Sequence, residues 1–544
     1  MTMLRKGQGL RQSMAWLHTW SGLLVCWVLF LVFCSGTASY VKDEISLWMR
    51  PELHASLNEK TSPAQAASRA YAYLQREAPH AERWFLSLPD ARNPAISLFW
   101  VRPATSEDAG KPARARLVSR TLDPASGAPI PGARETRGGE FLYRLHFDLH
   151  YMPAVWGRWI IGFCTMFMLV AIISGVITHR RIFADFFTFR TRRGQRSWLD
   201  AHNAVAVLAL PFHLMITYTG LVTLLFLYMP WGIQAVYQGD EKAFNAELAT
   251  RAPRVKPSKE SAPLAPIEPM LTQAVTHWQG MPPQRITVDQ PNRANAVVSI
   301  TRDAGRNINT AAPTMVFAGA TGALQASLGD AQGPANVTRG TMVGLHVAHF
   351  APPLLRALFF ASGLAGALMV ATGALLWAVK TRQSHARIIA QTGRTPFGLR
   401  LVEALNLGAI AGLPIAFGAY FWANRLLPID LAQRPDAEIQ AFFGAWALAA
   451  LLAQWRPTRA MWRVLLAAGA VLLVGVPVLN ALTTSTHLGV TLVRGPVVLA
   501  GFDLTVLALG IALGAAAWML GKHAAAPVRA GAPRAMRSAG EVSQ

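Results

Sequence analysis

Eight apolar segments, each long enough to cross a lipid bilayer, recur along this 544-residue chain and constrain its fold more than any other feature. A helix needs about 20 mostly apolar residues to span the hydrocarbon core of a membrane. Charged residues make up only 15% of the chain, whereas they make up about a quarter of soluble proteins. The sequence therefore predicts a mainly α-helical integral membrane protein with about eight transmembrane helices.

Basic residues flank these apolar segments and set the expected orientation. Lys and Arg are enriched in cytoplasmic loops, so the net charge of +22 indicates membrane flanks in contact with the lipid bilayer and no nucleic-acid surface. Both termini are expected in the cytoplasm. The predicted transmembrane helices are 13–40, 151–179, 198–228 and 351–380, with four more within 400–520; the external regions are 41–150 and 229–350; the cytoplasmic parts are 1–12, 180–197, 381–399 and a disordered tail at 521–544.

The two external regions share one order of predicted elements. The first has the helical stretch AQAASRAYAYLQREA, the strands AISLFWV and RLVSRTL, and the turn DPASGAPI. The second has the helix PMLTQAVTHWQG, the alternating run AVVSITR and then TMVFAGATGALQ. A repeated order of helix, strands and a glycine-containing turn predicts two copies of a small α+β module.

Histidines and small residues recur at matching spacings in the two halves of the first 395 residues. On the first helix of each half, a histidine stands 18 residues before the glycine of a Ser-Gly or Thr-Gly pair; on the second, the spacings are 29 and 27. These combinations are His18–Gly36, His202–Gly220, His146–Gly175 and His346–Gly373. The duplication therefore predicts a four-helix core made of two similar units. His213 has no counterpart, because Leu29 occupies the matching position.

Intramembrane histidines are candidate metal ligands, because ionisable groups in a membrane are costly and face the bundle interior. His202 and His213 are close to three helical turns apart, so they leave one helix face about 16 Å from each other. Two haem groups stacked across a bilayer need axial imidazoles near each membrane face. The inner candidates are His18 and His202, the outer ones are His146 or His150 with His346 or His349, and His213 can join either level.

Each of these sites also has a simpler interpretation. Buried histidines can serve packing alone, which is about as plausible as ligation for His150 and His349. His179 is followed by two arginines, and an interfacial cation is the better interpretation. The Ser-Gly and Thr-Gly pairs are by default close-packing points between helices.

The segments that carry these histidines resemble the PepSY-associated transmembrane helix family. The similar stretches are LHTWSGLLVCWVLFLVFCSG, RLHFDLHYMP, ISGVITHRR, QRSWLDAHNAVAVLALPFHLMITYTG, GLHVAHF and ATGALLW, within about residues 10–390. The resemblance implies a bacterial inner-membrane protein with periplasmic PepSY-like modules. The stretch DPASGAPI is similar to the strand-turn signature of that module. His349 departs from the family pattern, in which a histidine is expected only at the position of His346.

Relatives in this family include iron-regulated membrane proteins and haem-containing reductases of ferric siderophores. The resemblance therefore implies a haem b protein, with two haems, that reduces periplasmic ferric iron or ferric siderophore. Electrons would enter at His18 and His202 and pass outward by way of His213. The chain has no GxGxxG in a strand–turn–helix context and no GxxxxGK[ST] motif. No bound nucleotide cofactor is expected, so a separate cytoplasmic or membrane donor must supply the electrons.

Two other functions stay open at this point. The protein could be a non-enzymatic scaffold whose modules bind or inhibit a periplasmic partner, with histidines serving only packing. It could also transport iron or siderophore through the last four helices. Acids at mid-membrane depth are not expected there: Glu403 and Asp503 are predicted near helix ends, and Asp430, Asp436 and Glu438 in a connecting loop.

Overall fold

A computed structural model of the protein describes residues 9–58, 61–90, 92–108, 116–179, 195–240, 243–244, 255–330 and 332–522. Most of the predicted basic and aromatic loop 180–197 and nearly all of the predicted tail 521–544 lie outside these described residues.

The described elements of the two halves run in a similar order, with three strands in the first half and four in the second. In the first half they are α1 (Leu10–Ser39), α2 (Lys42–Trp48), α3 (Pro63–Glu77), β1 (Arg83–Ser87), β2 (Ile96–Val101), β3 (Leu117–Leu122), α4 (Gly138–Asp148) and α5 (Ala154–Thr178). In the second half they are α6 (Gln195–Leu208), α7 (Leu210–Thr223), α8 (Leu225–Tyr228), α9 (Trp231–Tyr237), α10 (Ile267–His277), β4 (Pro283–Asp289), β5 (Val297–Arg302), β6 (Thr314–Ala318), β7 (Leu324–Leu328), α11 (Pro334–Val347) and α12 (Pro353–Ser384).

The C-terminal helices complete the chain. They are α13 (Ala386–Thr392), α14 (Phe397–Ile410), α15 (Gly412–Leu426), α16 (Arg434–Trp455), α17 (Arg459–Thr483), α18 (Leu488–Arg494) and α19 (Val497–Lys522). Seven spans among the described residues are long and apolar enough to cross a membrane: α1, α5, α12, α14 with α15, α16, α17 and α19. The bent pair α6 and α7 is an eighth candidate span. The protein is therefore a multi-pass membrane protein.

The third span is bent, where a single helix over 198–228 is predicted. α6 and α7 meet at 68°, and Pro211 lies in the first turn of α7. Proline has no N–H to donate and its ring clashes with the preceding turn, so it breaks or kinks a helix. The break separates His202 on α6 from His213 on α7, so the two imidazoles do not share the straight helix face that their spacing predicts.

One antiparallel sheet joins the two external regions, where two modules are predicted. Its strand order is β3-β2-β1-β4-β5-β6-β7. The strands β1 and β4 pair at the centre, with Phe85 opposite Thr287. The apolar side chains of one sheet face, among them Trp84 and Ile286, form a core with α3 and α10. Since β1 and β4 hold equivalent places in the two halves, the halves meet about an approximate two-fold axis.

The C-terminal helices pack against the duplicated core, and two of their acids are fully buried. Glu438 lies in the second turn of α16 and not in a loop, because α16 starts at Arg434 and that residue pairs with Glu438 four positions on. Asp503, in the second turn of α19, accepts hydrogen bonds from Trp48 and Asn480. The predictions that Asp436 and Glu438 are loop residues are wrong, because both lie in α16.

Candidate functional site

Four histidines each place their imidazole against a glycine of the other membrane segment in the same half. The contacts are His18 on Gly175, His146 on Gly36, His202 on Gly373 and His346 on Gly220. A Cβ atom on any of these glycines would lie between 2.6 and 3.1 Å from the imidazole Cε1. Real Cβ atoms essentially never come as close as 2.6 Å, the distance at Gly36, and the other three distances are tighter than nine in ten real Cβ contacts. Glycine therefore gives each ring its space. The spacing analysis found these glycines but assigned each one to the histidine on its own segment.

The same four imidazoles are oriented by one kind of hydrogen bond. Each donates from Nδ1 to the backbone carbonyl that lies one helical turn before its glycine. The acceptors are Ala171 for His18 at 2.7 Å, Val32 for His146 at 2.8 Å, Met369 for His202 at 2.9 Å and Ile216 for His346 at 3.1 Å. A carbonyl only accepts, so Nδ1 carries the proton. In the neutral ring Nε2 then carries the lone pair that a metal ion requires.

Equivalent histidines of the two halves face each other. The ring centres of His18 and His202 are 6.2 Å apart, and those of His146 and His346 are 6.0 Å apart. Metal–imidazole bonds are about 2 Å long and a ring centre lies about 1 Å beyond its nitrogen, so two imidazoles sharing one metal ion have centres about 6 Å apart. Both pairs match that separation.

The two pairs lie at opposite ends of the membrane helices. α4 and α11 follow the strands β3 and β7 directly, so His146 and His346 form the pair nearer the sheet, called here the sheet-side pair. His18 lies near the start of α1, and the chain reaches the sheet region only after the other end of that helix. His18 and His202 are called the far pair.

Each pair opens into its own cavity. The far cavity, of about 440 Å³, is mostly apolar, and Lys380 is the one lysine among the described residues that line it. The sheet-side cavity, of about 410 Å³, is likewise mostly apolar and also has one lysine, Lys42. Pockets that bind small molecules and cofactors usually measure about 300–1,000 Å³. No carboxylate among the described residues lines either cavity.

Burial keeps the sheet-side imidazoles neutral. It lowers the pKa of His146, and it lowers the pKa of His346 to about 3, with the neighbouring His146 as a second cause. Both groups are therefore uncharged at pH 7. The neutral form is the one that binds a metal ion.

His213 is a third imidazole in the far cavity. It is fully buried, and neither ring nitrogen makes a hydrogen bond of good geometry with the described residues. Its ring contacts Phe33, at 6.0 Å between centres, and Phe33 lines the sheet-side cavity. Leu29 and Met168 line both cavities. His213 therefore lies at the wall that separates the two cavities.

The structure does not bring the remaining predicted histidines into the pairs. His150 stacks on Phe443 of α16, with ring centres 5.5 Å apart and planes at 17°. His349 is exposed, because Ala348 turns into the left-handed conformation after α11 and directs the chain away. His179 lines the far cavity and lies 2.8 Å from the Asn203 side-chain amide, outside the far pair.

Sequence reasoning missed the carbonyl acceptors and the two lysines. The carbonyls belong to ordinary helical residues, so no side chain marks them. The lysines had a usable signal, since Lys42 and Lys380 stand six and seven residues after Gly36 and Gly373, where a helix reaches the membrane surface.

Comparison with known proteins agrees with this architecture. The chain is 28% identical over 399 residues to an uncharacterized protein of Pseudomonas aeruginosa, which covers 68% of this chain and 92% of the relative. A family model described as the PepSY-associated TM region matches residues 15–380, which include the sheet and both histidine pairs. On that match, the chain belongs to the PepSY-associated transmembrane family.

Proposed function

We propose that the protein holds two haem b groups, one between the imidazoles of each pair, and carries electrons from the far side of the membrane to the sheet side. The observation that carries the proposal is the pairing itself. Each pair presents two imidazoles with Nδ1 bonded to a carbonyl and ring centres 6.0 or 6.2 Å apart.

The chemistry of the donors favours an iron porphyrin over a bare metal ion. Two imidazoles supply only two ligands, so the other coordination positions must be filled by the ligand that brings the metal. A mostly apolar cavity fits the face of a macrocycle, and the lysine in each lining, Lys42 or Lys380, suits its carboxylates. Haem, when bound between two imidazoles, supplies reversible one-electron redox chemistry.

The chain's own residues prepare this site. The Nδ1 hydrogen bonds fix each ring and raise the basicity of Nε2, as outer partners of metal ligands commonly do. The glycines let the rings approach the neighbouring helices, and the apolar walls exclude water. Leu29 and Met168 belong to both cavities, so a single layer of side chains separates the two sites.

The direction and the acceptor follow from the family resemblance. We place the sheet in the periplasm and both termini in the cytoplasm of a bacterial inner membrane, with a separate donor on the far side. The acceptor is ferric iron, free or held by a siderophore. Reduction releases iron from a siderophore, because Fe(II) binds hard oxygen ligands more weakly than Fe(III).

Haem-loaded protein in sealed vesicles tests this function. With a reductant trapped inside and a ferric siderophore plus a colorimetric Fe(II) chelator outside, the wild type should produce Fe(II) outside. His18→Ala should abolish the signal, and His349→Ala, at an exposed histidine outside the pairs, should not change it. If the haem-loaded wild type gives no external Fe(II), ferric iron is not the acceptor. Uptake of labelled iron into the vesicles would favour the transporter instead.

A further inference from the structure

The C-terminal helices make several hydrogen bonds to one short segment of the duplicated core. The segment is 134–138, which leads directly into α4, the helix that carries His146. Arg134 donates to the carbonyl of Asn424 at 2.8 Å, Arg434 donates to the carbonyl of Glu135 at 3.1 Å, and Tyr420 donates to the carbonyl of Gly138 at 2.9 Å. These bonds anchor the entrance of α4 to α15 and α16.

Thr136 links this anchor to the helix itself. Its hydroxyl donates to the Glu438 carboxylate and accepts the backbone N–H of Gly138 at 3.0 Å. Glu438 also accepts from Asn424 and is paired with Arg434, and all three side chains are almost completely buried. A buried and fully bonded carboxylate is a rigid acceptor. The first turn of α4 is thus capped through a side chain that the C-terminal helices immobilise.

Ring packing extends this support along α4. Phe141 packs against Tyr420, Phe442 and Phe443, with ring centres 5.1, 5.2 and 6.1 Å apart. Five residues later, on a face rotated by about 140°, His146 points to Val32 and Gly36. One face of α4 therefore rests on the C-terminal helices while another presents the imidazole.

The other histidine of the sheet-side pair, His346, is supported by a different part of the protein. α11 carries His346, and its Gly340 and Gly344 lie against Asn309 and Ile308 of the loop that joins β5 to β6. The two imidazoles of the sheet-side pair thus lie on helices with different neighbours. The helix α4 contacts the C-terminal helices as well as α2, where Ser46 accepts the Gly139 N–H at 2.9 Å, and α11 contacts the β5–β6 loop.

We infer that Thr136, Tyr420 and Glu438 are positioning residues for the sheet-side haem, and that this is a function of the C-terminal helices. They act through α4, by setting where Nε2 of His146 lies relative to His346. The inference rests on the proposed function, because it concerns the haem between these two residues. Loss of these hydrogen bonds keeps the His146 side chain but changes the distance and the angle between its ring and that of His346.

Two variants remove single hydrogen bonds and keep the packing. Thr136→Val deletes the hydroxyl, and Tyr420→Phe deletes the bond to Gly138. Tyr71→Phe is the matched control, since its hydroxyl also donates to a carbonyl, that of Ala265, but within the sheet region. Thr136→Ser restores the hydroxyl and should restore the wild-type behaviour.

The readouts are the low-spin electron paramagnetic resonance signals and midpoint potentials of the two haems. The sheet-side signal is assigned as the one lost in His146→Ala. We expect Thr136→Val and Tyr420→Phe to shift that signal and its potential, leaving the far haem unchanged. If both haems bind and neither variant moves the sheet-side signal, the positioning inference is wrong while the proposed function stands. A wild type that binds no haem would overturn the proposed function itself.

Discussion

The far pair and the sheet-side pair share one local design in different surroundings. In each, an imidazole donates to a carbonyl and rests on a glycine one turn later. The far pair lies on α1 and α6, in the membrane spans, with His213 as a third imidazole. The sheet-side pair lies on the short helices α4 and α11, which lead out of the sheet. The duplication thus explains the shared geometry, whereas the elements around the two pairs differ.

Removing one imidazole should separate the two sites most clearly. His18→Ala or His202→Ala should lose the far haem, and His146→Ala or His346→Ala the sheet-side haem. In every case haem content should fall by about half, because the axial ligand set loses one of its two members. Pyridine haemochrome quantification measures the content, and His349→Ala is a control at an exposed histidine outside both pairs. Loss of both haems in all four variants would contradict two independent sites.

Breaking the buried Arg434–Glu438 ion pair behind the sheet-side pair should destabilise the protein. Arg434→Met leaves Glu438 buried without its ion-pair partner, which typically costs about 3–5 kcal/mol. Thermal unfolding in detergent should show this loss. The double variant Arg434→Met with Glu438→Leu should recover much of the stability, because it removes the unpaired charge. If Arg434→Met alone is as stable as the wild type, the Arg434–Glu438 pair is not buried as described.

The glycine contacts differ in tightness between the two sites. A Cβ at Gly36 would lie 2.6 Å from His146 Cε1, whereas a Cβ at Gly373 would lie 3.1 Å from His202 Cε1. Gly36→Ala should therefore displace its imidazole and lower sheet-side haem occupancy more than Gly373→Ala lowers far-haem occupancy. Gly501→Ala is the control, since this glycine of α19 lines neither cavity and a Cβ placed on it would meet no heavy atom within 4 Å. Equal effects of all three substitutions would contradict the contact argument.

His213 should give the smallest effect and should act on the far site alone. His213→Leu places there the residue type that the other half carries at Leu29. The haem-free variant should be more stable by about 1–3 kcal/mol, because a buried imidazole that makes no hydrogen bond of good geometry is removed. The far haem should remain, with a shifted midpoint potential. Loss of the far haem would instead make His213 an axial ligand.

The sequence predicted His18 with His202 at one level, left His146 or His150 with His346 or His349 at the other, and did not predict the supports of these histidines. Alternating basic flanks placed His18 with His202 at one membrane face, and the duplicated spacing matched His146 with His346. The same reasoning could not separate His146 from His150 or His346 from His349. That distinction depends on the left-handed turn at Ala348 and on the packing of His150 against a helix about 290 residues further along the chain.

Three features of the fold escaped prediction for physical reasons. The central strands β1 and β4 are short and carry charged residues, Arg83, Arg285 and Asp289, so their alternation is weak. The bend at Pro211 lies inside an otherwise continuous apolar run. Glu438 belongs to a membrane helix because a partner four residues earlier neutralises it, and polarity alone suggests a loop.

A reduced-minus-oxidised visible spectrum of the purified wild-type protein, with haem quantified per chain, tests the central claim most directly. The account predicts split b-type bands at close to two haems per chain, one for each imidazole pair. A colourless protein that also fails to take up added haem would contradict it. The paired histidines would then be packing residues, and the sheet would become the place to seek a binding partner.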